Sequence, residues 1–325
     1  SKQALELFYE MQCEGIKPQR VTFIGALKAC TNILAYDNGR KIHVDIVESG
    51  LEWGTYIGNA LINMYGKCGN LTDAKCVFER LPSQNTVTWN SLITVFVQYG
   101  ACEEALQIFQ KMQIQFEPDK VTFICVIKAC LQIAALQYGK VVHTLVVDSI
   151  FASDISVNNT LIDMYINCGN LDDACRVFEM MPDRDVVTWT MMIGGYGHHG
   201  DYNMAHETLK RMLSGEHKPV EITYVCLLNA CGRSGLLNEG CLHFRSMMEI
   251  HGLTPTLDHY FCLVNIFGQL GRLAEAEDVL LTIPFSGASV VGIRTLLNHC
   301  KVHGNEILGQ QYVEPLHLLQ TKLTI

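Results

Sequence analysis

Apolar residues in this chain fall on one side of short helices, and the pattern breaks at regularly placed glycines. In 55–69, Leu61, Met64, Tyr65 and Cys68 stand at i, i+3, i+4 and i+7, one face of a helix. Gly69-Asn70 interrupts the stripe. A second stripe runs through Leu71, Ala74, Phe78 and Leu81, and Pro82 ends it. Asn70 is placed to cap that second helix, and Asp73 favours its first turn. The same break recurs at Gly100, Gly200, Gly235 and Gly271. Strand alternation and hairpin dipeptides are not evident. The pattern predicts pairs of short helices joined by tight turns. One helical hairpin cannot bury its own stripe, so the hairpins are expected to stack into an all-α solenoid.

A longer period overlies the helical one. VTFIGALKAC (21–30) returns as VTFICVIKAC (121–130), NALINMYGKCGNL (59–71) as NTLIDMYINCGNL (159–171), and VTWNSLI (87–93) as VTWTMMI (187–193). The offset is 100 residues throughout, and 18 of 31 residues match between 59–89 and 159–189. Each period holds three shorter units of roughly 31 to 36 residues.

With 49% hydrophobic and 18% charged residues, the 325-residue chain can bury a core. No apolar run approaches the ~18 residues of a membrane span. The chain opens inside a helical pattern, SKQALELFYEMQ, with no initiator Met, signal peptide or Arg-rich transit segment, and is expected to be a piece of a longer product. Leu5 and Phe8 lie at that end of the stack and are expected to be exposed, where a terminal repeat needs a polar face. Fourteen cysteines without a CxxC pair or zinc-finger spacing indicate a reducing compartment, with Cys acting as a small hydrophobe. A net charge of −9 argues against strong non-specific nucleic-acid binding and leaves room for a local basic or polar stripe.

These repeated motifs resemble the pentatricopeptide repeat family in its plant PLS subclass, where long (L), short (S) and P variants alternate. VTFIGALKAC…GRKIH…ESGLEW is similar to the L variant, at 20–54 and again at 120–154. GNALINMYGKCGNLTDAKCVFERLPSQN is similar to the S variant, at 55–85 and 155–185. VTWNSLI…EEALQIFQKM…EPD is similar to the P variant, at 86–119 and 186–220, the first of these a residue shorter near QIQFEPD. Residues 1–19 resemble the back half of another P unit; 221–256 and 257–286 resemble the terminal L and S units. Residues 287–325 resemble a degenerate or truncated E-type C-terminal extension, with LLNHCKVHGN (296–305) as its opening helix. The resemblance implies a right-handed α-solenoid and the binding of single-stranded RNA at about one nucleotide per repeat.

It also implies which residues read the bases: the fifth residue of a unit, in the opening turn of its first helix, together with the unit's last residue. An Asn amide both donates and accepts, and an Asp accepts only, so it can fix the orientation of the Asn. Carried over, Asn59 with Asn85 implies a pyrimidine, C over U. Asn90 with Asp119 implies U, and Asn159 with Asp185 implies U again. Thr190 with Val220 implies a purine through Thr alone, because Val cannot hydrogen-bond. Ile24 with Gly54 and Ile124 with Asp154 imply little specificity. Tyr56, Val87 and Val187 are candidate wedges against the base faces; Ser156 departs from that pattern. The implied tract over 55–220, 5′ to 3′, is pyrimidine–U–any–U–purine. Against this stands a plainer role, since Asn and Thr near helix starts commonly cap and Asp is common in loops.

No chemistry is expected of the chain itself. The HxE and CxxC elements of a zinc deaminase are absent from the sequence, so no catalytic residue is assigned. His43, His143 and His243 recur with the units, as do Cys30, Cys130, Cys231 and Cys300; residues repeated along a solenoid do not converge, and neither a metal nor a cofactor is expected. The resemblance implies a site-recognition factor for C-to-U RNA editing in a mitochondrion or chloroplast, recruiting a deaminase-bearing or accessory protein in trans, with no membrane partner. A protein-interaction scaffold of the same helical class, and a truncated product with little function, stay open as alternatives.

Overall fold

In a computed structural model, residues 1–51, 54–283 and 290–323 are described, with backbone alone for 314, 315 and 317–323, and they form nineteen α-helices and no strand. After α1 (Lys2–Cys13) the helices come in pairs. The first helices of the pairs are α2 (Arg20–Ile33), α4 (Thr55–Lys67), α6 (Thr86–Gln98), α8 (Lys120–Gln132), α10 (Ile155–Asn167), α12 (Val186–His198), α14 (Glu221–Ser234), α16 (Leu257–Gln269) and α18 (Val290–Val302). The second helices are α3 (Tyr36–Glu48), α5 (Leu71–Arg80), α7 (Cys102–Met112), α9 (Leu136–Val147), α11 (Leu171–Met180), α13 (Tyr202–Ser214), α15 (Leu237–Glu249), α17 (Leu273–Leu281) and α19 (Glu306–Leu323).

The chain divides into two compact units, 1–170 and 171–325. In the first, α2, α4, α6, α8 and α10 pack one on the next, each of the first four with its own second helix against it. In the second, α12, α14, α16 and α18 do the same with α13, α15, α17 and α19. This is the all-α solenoid that the stripes require, because each hairpin covers its neighbour's apolar face.

Local signals set the helix ends. Asp73 N–H donates to Asn70 Oδ1 at 2.9 Å, so Asn70 caps α5 as expected. Gly69 before it has φ +89°, a left-handed turn that a side chain would strain. Gly100, Gly200, Gly235 and Gly271 repeat this conformation, with φ between +68° and +79°. The stripe of α4 is buried at Leu61, Met64 and Tyr65, while Cys68, just past the helix end, is half-buried. Gly66 lies where α4 meets α6, and a Cβ there would run into the Val95 side chain; the missing side chain permits the close approach.

The recurring cysteines are packing residues. Cys30, Cys130, Cys231 and Cys300 are each at most 3% exposed in the first helices. Burial pushes the Cys30 thiol up to about 11 and those of Cys130 and Cys231 up to about 12, so all three stay protonated and inert. The recurring histidines each meet a tyrosine hydroxyl. His43 Nδ1 lies 2.8 Å from Tyr65 Oη, and His143 Nδ1 lies 2.9 Å from Tyr165 Oη. Where Phe267 replaces that tyrosine, His243 Nε2 lies 3.0 Å from the Tyr202 hydroxyl instead.

Two expectations are corrected. Leu5 and Phe8 are buried, at 5% and 3% exposure. Helix α1 turns its stripe inward onto α2, where the Phe8 and Phe23 rings lie 5.8 Å apart; Leu7 is the exposed residue. The opening helix of the C-terminal segment is not 296–305. It is α18, Val290–Val302, and Gly304 at φ +68° turns the chain into α19.

Candidate nucleic-acid interface

The second and fifth residues of each first helix are three apart and share one face. In the second place stand Val21, Tyr56, Val87, Val121, Val187, Ile222 and Val291, all apolar and between 51 and 78% exposed, while α16 has Asp258 there. An exposed apolar side chain at the same place in seven helices is not core packing. Tyr56, Val87 and Val187 were expected there. Val21, Val121, Ile222 and Val291 were missed, although VTF and ITY carry the same signal as VTW. Ser156 fills the place in α10 and is exposed.

The fifth residues lie deeper. Asn90 and Thr190 are buried, at 6% and 8% exposure, and Asn59 and Asn159 are half-buried. The last residue of each preceding stretch is the N-cap of the following first helix. Asn85 Oδ1 accepts from Thr88 N–H at 3.0 Å, Asp119 Oδ1 from Thr122 N–H at 2.9 Å, and Asp185 Oδ1 from Thr188 N–H at 2.8 Å. The capping role is therefore real, and at Asp119 it does not exhaust the side chain. Asn90 Nδ2 donates to Asp119 Oδ1 at 2.8 Å across 29 residues of sequence, despite the shorter stretch before Asp119.

The pairs at Asn59 and Thr190 differ. No hydrogen bond joins Asn59 to Asn85; Asn85 is exposed, and Asn59 Oδ1 is buried with no partner in the protein. Asn159 belongs to the first compact unit and Asp185 to the second. Thr190 Oγ1 lies 2.8 Å from Thr223 Oγ1, and Val220 offers no polar side-chain atom. Ile24 and Ile124 are half-buried and apolar.

The charges nearby are mixed. Lys28 and Lys128, four residues beyond the fifth place, are exposed on the same helical face as Val21 and Val121. Lys120 Nζ pairs with Asp154 Oδ2 at 2.9 Å. Burial raises the Asp154 pKa, but Lys120 and the Val157 and Ser156 amides outweigh it and hold the carboxyl below its ordinary value. Burial pushes the Asp163 carboxyl up, against the pull of Asn167 and Lys128. Among the described residues, no group of three or more His, Cys, Asp or Glu could hold a metal ion. A cleft bounded by Tyr36, Arg40, His43, Tyr65, Asp73 and Arg80 contains none of the candidate residues. No described helix is long and apolar enough to cross a membrane.

The arrangement repeats an exposed apolar residue beside a polar or apolar fifth residue, with a capping residue next to it. A model of the PPR repeat family matches residues 84–132 and 184–233, and a PPR repeat model matches 59–85, 159–186 and 222–251, together about half of the chain. The chain belongs to the pentatricopeptide repeat family. Among its relatives in Arabidopsis thaliana is the pentatricopeptide repeat-containing protein At1g11290, chloroplastic, 36% identical over 317 residues, covering 97% of this chain and 39% of that protein. Another is At2g03880, mitochondrial, 35% identical over 310 residues, covering 95% of this chain and 48% of that protein. This pentatricopeptide repeat chain thus spans less than half the length of these relatives. Its fold matches the crystal structure of the pentatricopeptide repeat protein PPR10 in complex with an 18-nt psaJ RNA element, with a TM-score of 0.78 at 20% identity over 99% of this chain and 48% of that one.

Proposed function

We propose that this chain binds single-stranded RNA in a sequence-specific way, with successive repeats each addressing one base. The observation that carries the reading is the Asn90–Asp119 bond beneath the exposed Val87. An accept-only carboxylate takes one N–H of the amide, and the amide keeps a second donor and an acceptor for a base edge. Val87 and its equivalents lie where they can pack against base faces. PPR10, which has this fold, is described in complex with RNA, and two relatives are named as chloroplastic and mitochondrial.

In the finer reading, stretches 20–54 and 120–154 are L-type, 55–85 and 155–185 S-type, and 86–119 and 186–220 P-type. Stretches 221–256 and 257–286 are the terminal L and S repeats, and 287–325 is a degenerate or truncated E-type extension. The chain then selects a pyrimidine–U–any–U–purine tract in an organellar transcript. It serves C-to-U editing by presenting the cytidine to a deaminase supplied by another protein. Asn90→Ala tests the base assignment. Affinity should fall about tenfold for RNA with U at the matched nucleotide and little for RNA with A or G there. An equal loss for all four bases contradicts the assignment.

A further inference from the structure

Thr122 is the third residue of α8 and is fully buried. Its hydroxyl donates to Asn90 Oδ1 at 2.6 Å, reaching back 32 residues to the preceding first helix. Its lone pair accepts from Asp119 N–H at 3.1 Å, which is the ordinary reciprocal cap of a helix start. That cap leaves the single hydroxyl proton unspent. Asp119 Oδ1 lies 3.0 Å away, but it already accepts from Thr122 N–H and from Asn90 Nδ2, so the proton goes to the closer Asn90 Oδ1.

We propose that Thr122 is a positioning residue for base recognition by Asn90: with Asp119 it locks the amide in one orientation and so makes it tell uracil from cytosine. The inference rests on the RNA-reading proposal above. Turned over, the amide would set its oxygen against the Asp119 carboxylate and its N–H₂ against a hydroxyl already placed to donate. It would lose the Asp119 bond, and it could keep Thr122 only if the hydroxyl proton turned to Asp119 Oδ1, which already accepts from Thr122 N–H. Uracil presents an N3–H donor beside an O4 acceptor, and cytosine presents an N3 acceptor beside an N4–H₂ donor, the reverse order. An amide that can turn over suits both; a locked amide suits one.

The Asn59 position supplies the contrast. Thr88 holds the same register as Thr122, yet its hydroxyl and its N–H both lie 3.0 Å from Asn85 Oδ1, and Asn59 Oδ1 receives neither. In the second compact unit the Thr190–Thr223 contact, also buried, repeats the link between a fifth residue and the third residue of the next first helix. After the apolar fifth residues Ile24 and Ile124, that third place holds Ile57 and Val157. After the apolar Val225 of α14, by contrast, the third place is polar: it holds His259, whose ring caps α16 at Thr256.

The test is the affinity of the 325-residue chain for RNAs that differ only by U or C at the nucleotide matched to 86–119. Wild type should prefer U. Thr122→Val and Thr122→Ala should each lower the U-over-C ratio about fivefold, the worth of one ordinary hydrogen bond. Thr122→Ser should restore it, and Thr88→Val, which removes only a cap, should leave it unchanged. A wild-type preference that both Thr122→Val and Thr122→Ala retain overturns this inference alone. A wild type with no preference for either base overturns the RNA-reading proposal and this inference with it.

Discussion

Asn90 and Asn59 are the same residue in the same register, and their surroundings give them different chemistry. One amide is held by a carboxylate and a hydroxyl; the other has a buried oxygen with no partner in the protein. The local sequence shows why the residues are polar and recurrent, but not this difference. The bonds cross 29 and 32 residues, beyond the reach of any helical period. The exposed second places were more legible, since an apolar residue standing off the core stripe is visible in the sequence; three of the seven, Val21, Val121 and Ile222, lie beside apolar fifth residues, where no polar partner marks the place. Tyr56 is 73% exposed, so Tyr56→Ala should leave the thermal midpoint in place. It should weaken binding to all matched RNAs by ~1–3 kcal/mol, the usual worth of one stacked base. Paired measurements of melting and RNA affinity check both halves. A drop in melting temperature with unchanged RNA affinity would return Tyr56 to the fold.

At the scale of the elements, the hairpins were legible because three independent signals coincide: the stripe, the Gly-Asn break and the cap. Cys30, Cys130 and Cys231 fit the same account, with burial and raised thiol pKa values in place of reactivity. Leu5 and Phe8 were misjudged because a helix at the end of a chain is not thereby a helix with an open face; α1 has α2 to pack against. The hairpins also carry a pH dependence. His243 of α15 is 8% exposed, hydrogen-bonded to Tyr202 and beside His206, both of α13, with Glu239 on its own helix. Burial foremost, and then the His206 charge, lowers its pKa to about 4, against a pull upward from Glu239. The unfolded chain takes up the proton near pH 6.5, and the folded chain does so only near 4. Stability from neutral His243 is therefore complete above about pH 6.5 and is lost as pH falls toward 4, by on the order of 3 kcal/mol. Denaturation midpoints measured from pH 7 to 4 should decline for wild type and decline less steeply for His243→Gln, which retains a partner for Tyr202; the buried His259, also held low by burial, keeps part of the slope. An equal slope in both would place the pH dependence elsewhere.

For the whole molecule, periodic sequence and stacked hairpins state the same fact, because a solenoid repeats in space what the chain repeats in order. The net charge of −9 then acts as a constraint on function. A chain this acidic gains little from bulk attraction to phosphate, so any tight RNA binding has to come from base contacts and from local cations such as Lys28 and Lys128. It should depend on sequence strongly and on salt only modestly. The measurement that tests this most directly is equilibrium binding of the 325-residue chain to a short RNA carrying pyrimidine–U–any–U–purine, against a scrambled RNA of the same composition, at two salt concentrations. The account predicts tighter binding to the matched RNA at both. Equal affinity for the two RNAs would contradict it.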